Sequence, residues 1–112
     1  KSFFTDKKRK ATFRKIHWNL KIEELYKQWV KQDGKCFYTG IKLLFTNKGE
    51  TSDVEQTASI DRIDSSKPYV KGNIVFVHKT VNVMKGILTE KEFVNFCGMV
   101  VKHQEELKNK HE

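Results

Sequence analysis

Within residues 19–32, Ile22, Leu25, Tyr26, Trp29 and Val30 recur at i, i+3, i+4, i+7 and i+8, the spacing of one face of an α-helix. Asn19 stands where an N-cap belongs, Glu23 and Glu24 fall in the first turns, and Asp33-Gly34 supplies a stop. The aromatic stripe is expected to pack against a sheet. Further along, the period shortens. Residues 59–64 set Ile60 and Ile63 between charged residues, and residues 73–78 form the β-rich run NIVFVH after Lys71-Gly72, so both predict short strands. Between them, SSKPYVKG holds the only proline of the chain and suits an irregular loop rather than a tight turn. After His78, KTVNVMKG spaces Val81 and Met84 three apart and stops on Gly86, as a short helix does.

A last helix opens on a capping box, with Thr89 as N-cap and Glu92 three residues on. Phe93, Phe96, Cys97, Val100, Val101 and Leu107 carry its apolar stripe to about residue 108, past a weak point at Gly98, and this helix is expected to close the core. Its charged end is expected to fray, leaving His103 and His111 in solvent. Residues 35–45 read as a turn-bounded strand or short hairpin bending at Gly40, and residues 46–56 as a polar loop. The mixture is of the α+β class.

Composition narrows the partners. A chain of 112 residues makes one domain, and 22 Lys+Arg against 14 Asp+Glu leave a net charge of +8. A polyanion is the expected partner, nucleic acid ahead of membrane. Residues 1–17 concentrate seven of the cations, among them Lys7, Lys8, Arg9, Lys10 and Arg14, with Phe3, Phe4, Phe13 and Ile16 between them. They read as a basic N-terminal arm against a nucleic-acid backbone, or as a solvated terminus, ahead of a single domain at 18–112. No apolar run approaches the roughly 20 residues that span a bilayer, which makes a reducing cytoplasm the expected compartment. The two cysteines, Cys36 and Cys97, cannot build a Cys₄ zinc site or a disulfide framework.

The order Asp61-Arg62, Asn73 and then Asn82 nine residues on resembles the ββα-metal core of the HNH (His-Me finger) endonucleases, in particular those with a DRIDSS…GN…VHK…N…MK signature. The likeness extends to Cys36-Phe37-Tyr38-Thr39-Gly40 upstream and Leu88-Thr89-Glu90-Lys91-Glu92-Phe93 downstream, roughly residues 18–98. It implies a ββα-metal core with flanking N-terminal and C-terminal helices. It also implies that Asp61 and Asn82 bind a divalent metal through a carboxylate and an amide oxygen, and that Asn73 holds the loop between the strands. Two hard oxygen donors suit Mg²⁺ or Mn²⁺. Many family members place a CxxC pair where this chain has Cys36 and Thr39, so no structural zinc is expected and Cys36 reads as a small buried residue.

One departure bears on catalysis. Where most HNH enzymes have the histidine that deprotonates water, this chain has Arg62, which has no acceptor lone pair. Either another group activates water or the chain is a weak or inactive nuclease. His78, four residues before Asn82, and Asp64, two after Arg62, are the candidate bases. Arg62 then becomes a phosphate clamp. Lys79 and Lys85, flanking the short helix, are candidate phosphate contacts or ordinary surface lysines. The resemblance thus implies a divalent-metal-dependent endonuclease on DNA, needing a homodimer or a second binding event for double-strand cleavage. A catalytically inactive DNA-binding module on the same fold is the alternative, and RNA binding through the basic arm a third reading.

Overall fold

The computed structural model describes residues 3–44 and 56–110. The chain is an α+β protein in which, in order, α1 (Phe3–Phe13), β1 (Trp18–Asn19), α2 (Ile22–Lys31), β2 (Ala58–Arg62), β3 (Tyr69–Val70), β4 (Ile74–His78), α3 (Lys79–Lys85) and α4 (Glu90–Lys110) follow one another. The polar loop expected at 46–56 lies outside the described residues, Gln56 excepted.

The centre of the molecule is the antiparallel pair β2–β4, with Ala58 opposite His78, Ile60 opposite Phe76, Asp61 opposite Val75 and Arg62 opposite Ile74. Side chains alternate across a strand, so the two faces of this ribbon carry different residues. On one face Phe76 meets the Trp29 ring of α2 edge-on at 5.1 Å. On the other, Ser59 and Asp61 face α3, which contributes Asn82 and Lys85. Both faces are covered, and apart from half-buried Arg62 and His78 every residue of the two strands is buried.

Side-chain amides hold the pieces in register. Gln32, the last residue of the α2 turn, donates from Nε2 to Phe76 O (2.8 Å) and accepts at Oε1 from Phe76 N (2.9 Å), pairing with β4 as a neighbouring strand would. Asn73 is buried; its Oδ1 accepts from Asp64 N (2.9 Å) and its Nδ2 donates to Pro68 O (2.9 Å) and Asp64 O (3.1 Å). That single side chain closes the loop between β2 and β4. After α2 the chain turns through Asp33 (φ 56°) and Gly34 (φ 65°), where a Cβ would lie 3.2 Å from the Trp29 ring. The left-handed φ and the close ring both favour glycine.

Several elements differ from the sequence reading. Asn19 is not the cap of α2, because it pairs with Val70 in the short parallel ladder β1–β3; the cap is Lys21, whose N–H donates to Glu24 Oε1 (2.9 Å). Only part of the α2 stripe packs: Leu25 and Trp29 reach the core, while Ile22, Tyr26 and Val30 are exposed. Within the basic segment, Phe3–Phe13 is helical and the segment docks by Ala11, Phe4 and Ile16, with Phe4 edge-on to Trp18 at 5.6 Å. In α4 the capping box forms, Thr89 N donating to Glu92 Oε1 (3.0 Å) and Glu92 N to Thr89 Oγ1 (3.1 Å). The helix continues to Lys110, yet it does not close the core: Phe93 is buried, Cys97 partly so, and every residue from 98 to 110 is exposed. Among the described residues no helix is long and apolar enough to cross a membrane.

Candidate active site

Register and helix period together decide which polar groups meet. Asp61 stands on the α3 face of β2, and Asn82 and Lys85, three apart on α3, present one side of that helix to it. Asn82 Nδ2 donates to Ser59 Oγ (2.9 Å), which leaves its amide oxygen as the atom it can offer a ligand. Lys85, 1% exposed, sets its ammonium 3.4 Å from Asp61 Oδ1 and 3.3 Å from Oδ2. The Oδ2 atom is buried and makes no hydrogen bond among the described residues.

Asp61, Arg62 and Asn82 line one cavity of about 280 Å³ together with Arg14, Ser65, Tyr69 and Gly86. Arg14, just beyond α1, thereby joins the residues of the ribbon. Arg62 sits over the Tyr69 ring (5.2 Å) and donates from one guanidinium nitrogen to Ser65 O (2.8 Å) and Lys67 O (3.1 Å). It pins the loop and still borders the cavity.

The ionisation states follow from burial and neighbours. Burial pushes the Asp61 carboxyl up, outweighing the opposing pull of Lys85, with Arg62 pulling the same way as Lys85 and Glu90 adding to the rise. Tyr38, whose buried hydroxyl has no hydrogen-bond partner among the described residues, is pushed up by burial and by the charges of Asp61 and Glu90. Burial likewise works to raise the Cys36 thiol, but hydrogen bonds from the Thr39 side chain and from backbone groups at His78, Thr39 and Tyr38 bring it below its ordinary value. Cys36 is a buried free thiol, and Thr39 serves it as a hydrogen-bond partner.

Three expected site residues are placed elsewhere. His78 lies opposite Ala58, three rungs or roughly 10 Å from the Asp61–Val75 rung, and the strand period puts it on the other face. Its Nδ1 accepts from Thr80 N (3.1 Å), capping α3, and it does not line the cavity. Asp64 lies beyond the end of β2, so the same-face argument from Arg62 does not hold. Its Oδ1 accepts from Ser66 Oγ (2.6 Å) and Ser66 N (2.9 Å), and these bonds hold its carboxyl below the usual range. A carboxylate held ionised in this way is a weak base. Lys85 is no surface lysine: it is buried against Asp61 and cannot reach a phosphate outside. Lys79, Lys8, Arg9, Lys10 and Arg14 are exposed, and Lys7 is half-buried.

The donor types suit a hard divalent cation, in that Asp61 and Asn82 line one cavity, with the Lys85 ammonium already against both carboxylate oxygens. No group of three or more His, Cys, Asp or Glu side chains able to hold a metal occurs among the described residues, so phosphate oxygens and water would complete the shell, as is common for Mg²⁺. Sequence reasoning missed Lys85 as the partner of Asp61, although its i+3 spacing from Asn82 places it on the same helix face. Ser59 and Tyr38 were missed too, and no local pattern marks either. Comparison of the chain with protein-family models, with curated proteins and with solved structures gave no match.

Proposed function

We propose that the chain is a divalent-metal-dependent endonuclease of the HNH type acting on DNA. The observation that carries this reading is the cavity in which Asp61 and Asn82, on adjoining strand and helix, stand beside Arg62 and Arg14. Asp61 and Asn82 would hold Mg²⁺ or Mn²⁺, which supplies positive charge at the scissile phosphate and the leaving oxygen. Ser59 fixes the Asn82 amide, and Asn73 fixes the loop whose carbonyls hold the Arg62 guanidinium at the end of β2. Arg62 and Arg14 would bind the phosphate, with Lys79 and the exposed cations of α1 holding the flanking backbone in a sequence-independent manner.

A second reading, a DNA-binding module of the same fold that does not cut, is favoured by two specific observations. The cavity lining includes no histidine and no carboxylate other than Asp61, and Lys85 already neutralises that carboxylate. Supercoiled plasmid incubated in Mg²⁺ and in Mn²⁺, with a chelator control and a gel-shift assay alongside, separates the two. Nicking that disappears in chelator while binding persists supports the nuclease. Binding of equal strength with and without metal, and no nicking in either ion, replaces it with the module.

A further inference from the structure

The last helix leaves its own core early and remains apolar afterwards. Beyond Phe93 and half-buried Cys97, the large side chains Val94, Phe96, Met99, Val100, Val101 and Leu107 are between 37% and 61% exposed. At 100° per residue, those at 94–101 cover more than half of the helix circumference, whereas a surface helix ordinarily confines apolar residues to the stripe that faces its core. Scattered single apolar residues need no explanation; a continuous set over two turns does.

Charge indicates what covers it. The first turn of α4 carries Glu90 and Glu92 around Lys91, a net negative charge, and its last turn carries Lys108 and Lys110. A parallel neighbour of the same kind would stack like charges at both ends. An antiparallel one centred near Val100 puts Glu90 and Glu92 beside Lys110 and Lys108 of the second copy, and sets Val100 against its own counterpart and Met99 against Val101 of the other copy. At the foot of the helix a cavity of about 570 Å³, lined by Ile63, Asp64, Thr89, Glu90, Lys91 and Val94, sets the Asp64 and Glu90 carboxylates and one ammonium where the basic end arrives. The pairing is self-complementary, since each contact of one copy recurs reversed in the other, which is the condition for a closed two-fold dimer.

We infer that α4 is a self-association helix through which two copies of this chain pair antiparallel. The dimer stands on the helix alone and holds whether the chain cuts DNA or only binds it; for the nuclease reading it supplies two sites per particle.

Sedimentation equilibrium of the full chain tests this. The expected result is twice the chain mass at tens of micromolar, at least tenfold weaker association for Lys108→Glu/Lys110→Glu, and a monomer for Val100→Asp. Val100 is exposed in the single chain, so far-UV circular dichroism of Val100→Asp should keep its helix content. Orientation is read by oxidative cross-linking on a Cys97→Ser background. Val100→Cys should cross-link, while Lys108→Cys should not, because the two copies of residue 108 lie about 24 Å apart in the antiparallel pair. A parent chain that stays monomeric at about 100 µM, a Val100→Asp variant that associates like the parent, or equal cross-linking by Lys108→Cys overturns the inference.

Discussion

Lys85 and Asp61 form a buried ion pair, 1% and 6% exposed, in the interior between β2 and α3. Removing one partner of a buried ion pair strands the other charge, at a cost of about 3 kcal/mol or more. Lys85→Met should therefore lower stability by that order in chelator. If Asp61 is a metal ligand, added Mn²⁺ should raise the melting temperature of the variant more than that of the parent, since the ion then supplies the missing positive charge; equal shifts would count against Asp61 as a ligand. The two aspartates should also titrate on opposite sides of the ordinary carboxylate value of about 3.9. Asp64, held low by Ser66, contributes stability that is present above that value and lost as the pH falls through its folded pKa. Asp61, raised by burial, acts in the opposite sense, and its ionisation removes stability as the pH rises from about 3.9 through its folded pKa. Carboxyl carbon shifts followed by NMR from pH 2 to 7 should show the two midpoints in that order.

At the level of elements, the Gln32 amide pairs the end of α2 with the ribbon, beside the Trp29–Phe76 ring contact. Gln32→Ala removes the bonds to Phe76 N and Phe76 O, the latter still accepting from Phe37 N (3.0 Å), and a loss of about 1 kcal/mol in urea unfolding is expected. That link was invisible in sequence because its two ends lie 44 residues apart and glutamine at a helix end has many uses. What could be read was local. β-branched runs marked β2 and β4, the Thr89/Glu92 spacing marked the start of α4, and Gly86 marked the end of α3. Asp61 and Asn82 could be paired only through the family resemblance, and the structure puts them at one cavity through strand register and helix phase. His78 and Asp64 were plausible bases by proximity in sequence, but His78 lies three rungs from Asp61 and caps α3, and Asp64 lies beyond the end of β2 with its carboxylate bonded to Ser66. The α2 and α4 stripes show the reverse limit, since periodicity identifies an apolar face without saying whether the same chain covers it.

Taken as a whole, the molecule combines a net charge of +8 with extents of 52 × 35 × 26 Å, drawn out by the projecting α4. DNA affinity should fall steeply with salt, and Arg14→Ala should weaken binding of any duplex while reducing the slope of log K against log salt by about one; fluorescence anisotropy between 50 and 300 mM salt measures both. An unchanged slope would remove Arg14 from the phosphate contacts. The central claim concerns the cavity, and plasmid nicking by four variants in one Mg²⁺ and Mn²⁺ series tests it most directly. Asp61→Ala and Asn82→Ala should abolish nicking, while His78→Ala and Asp64→Asn, placed away from the cavity, should retain it within about tenfold of the parent. Persistent nicking by the first two, with loss in the second two, would contradict the account.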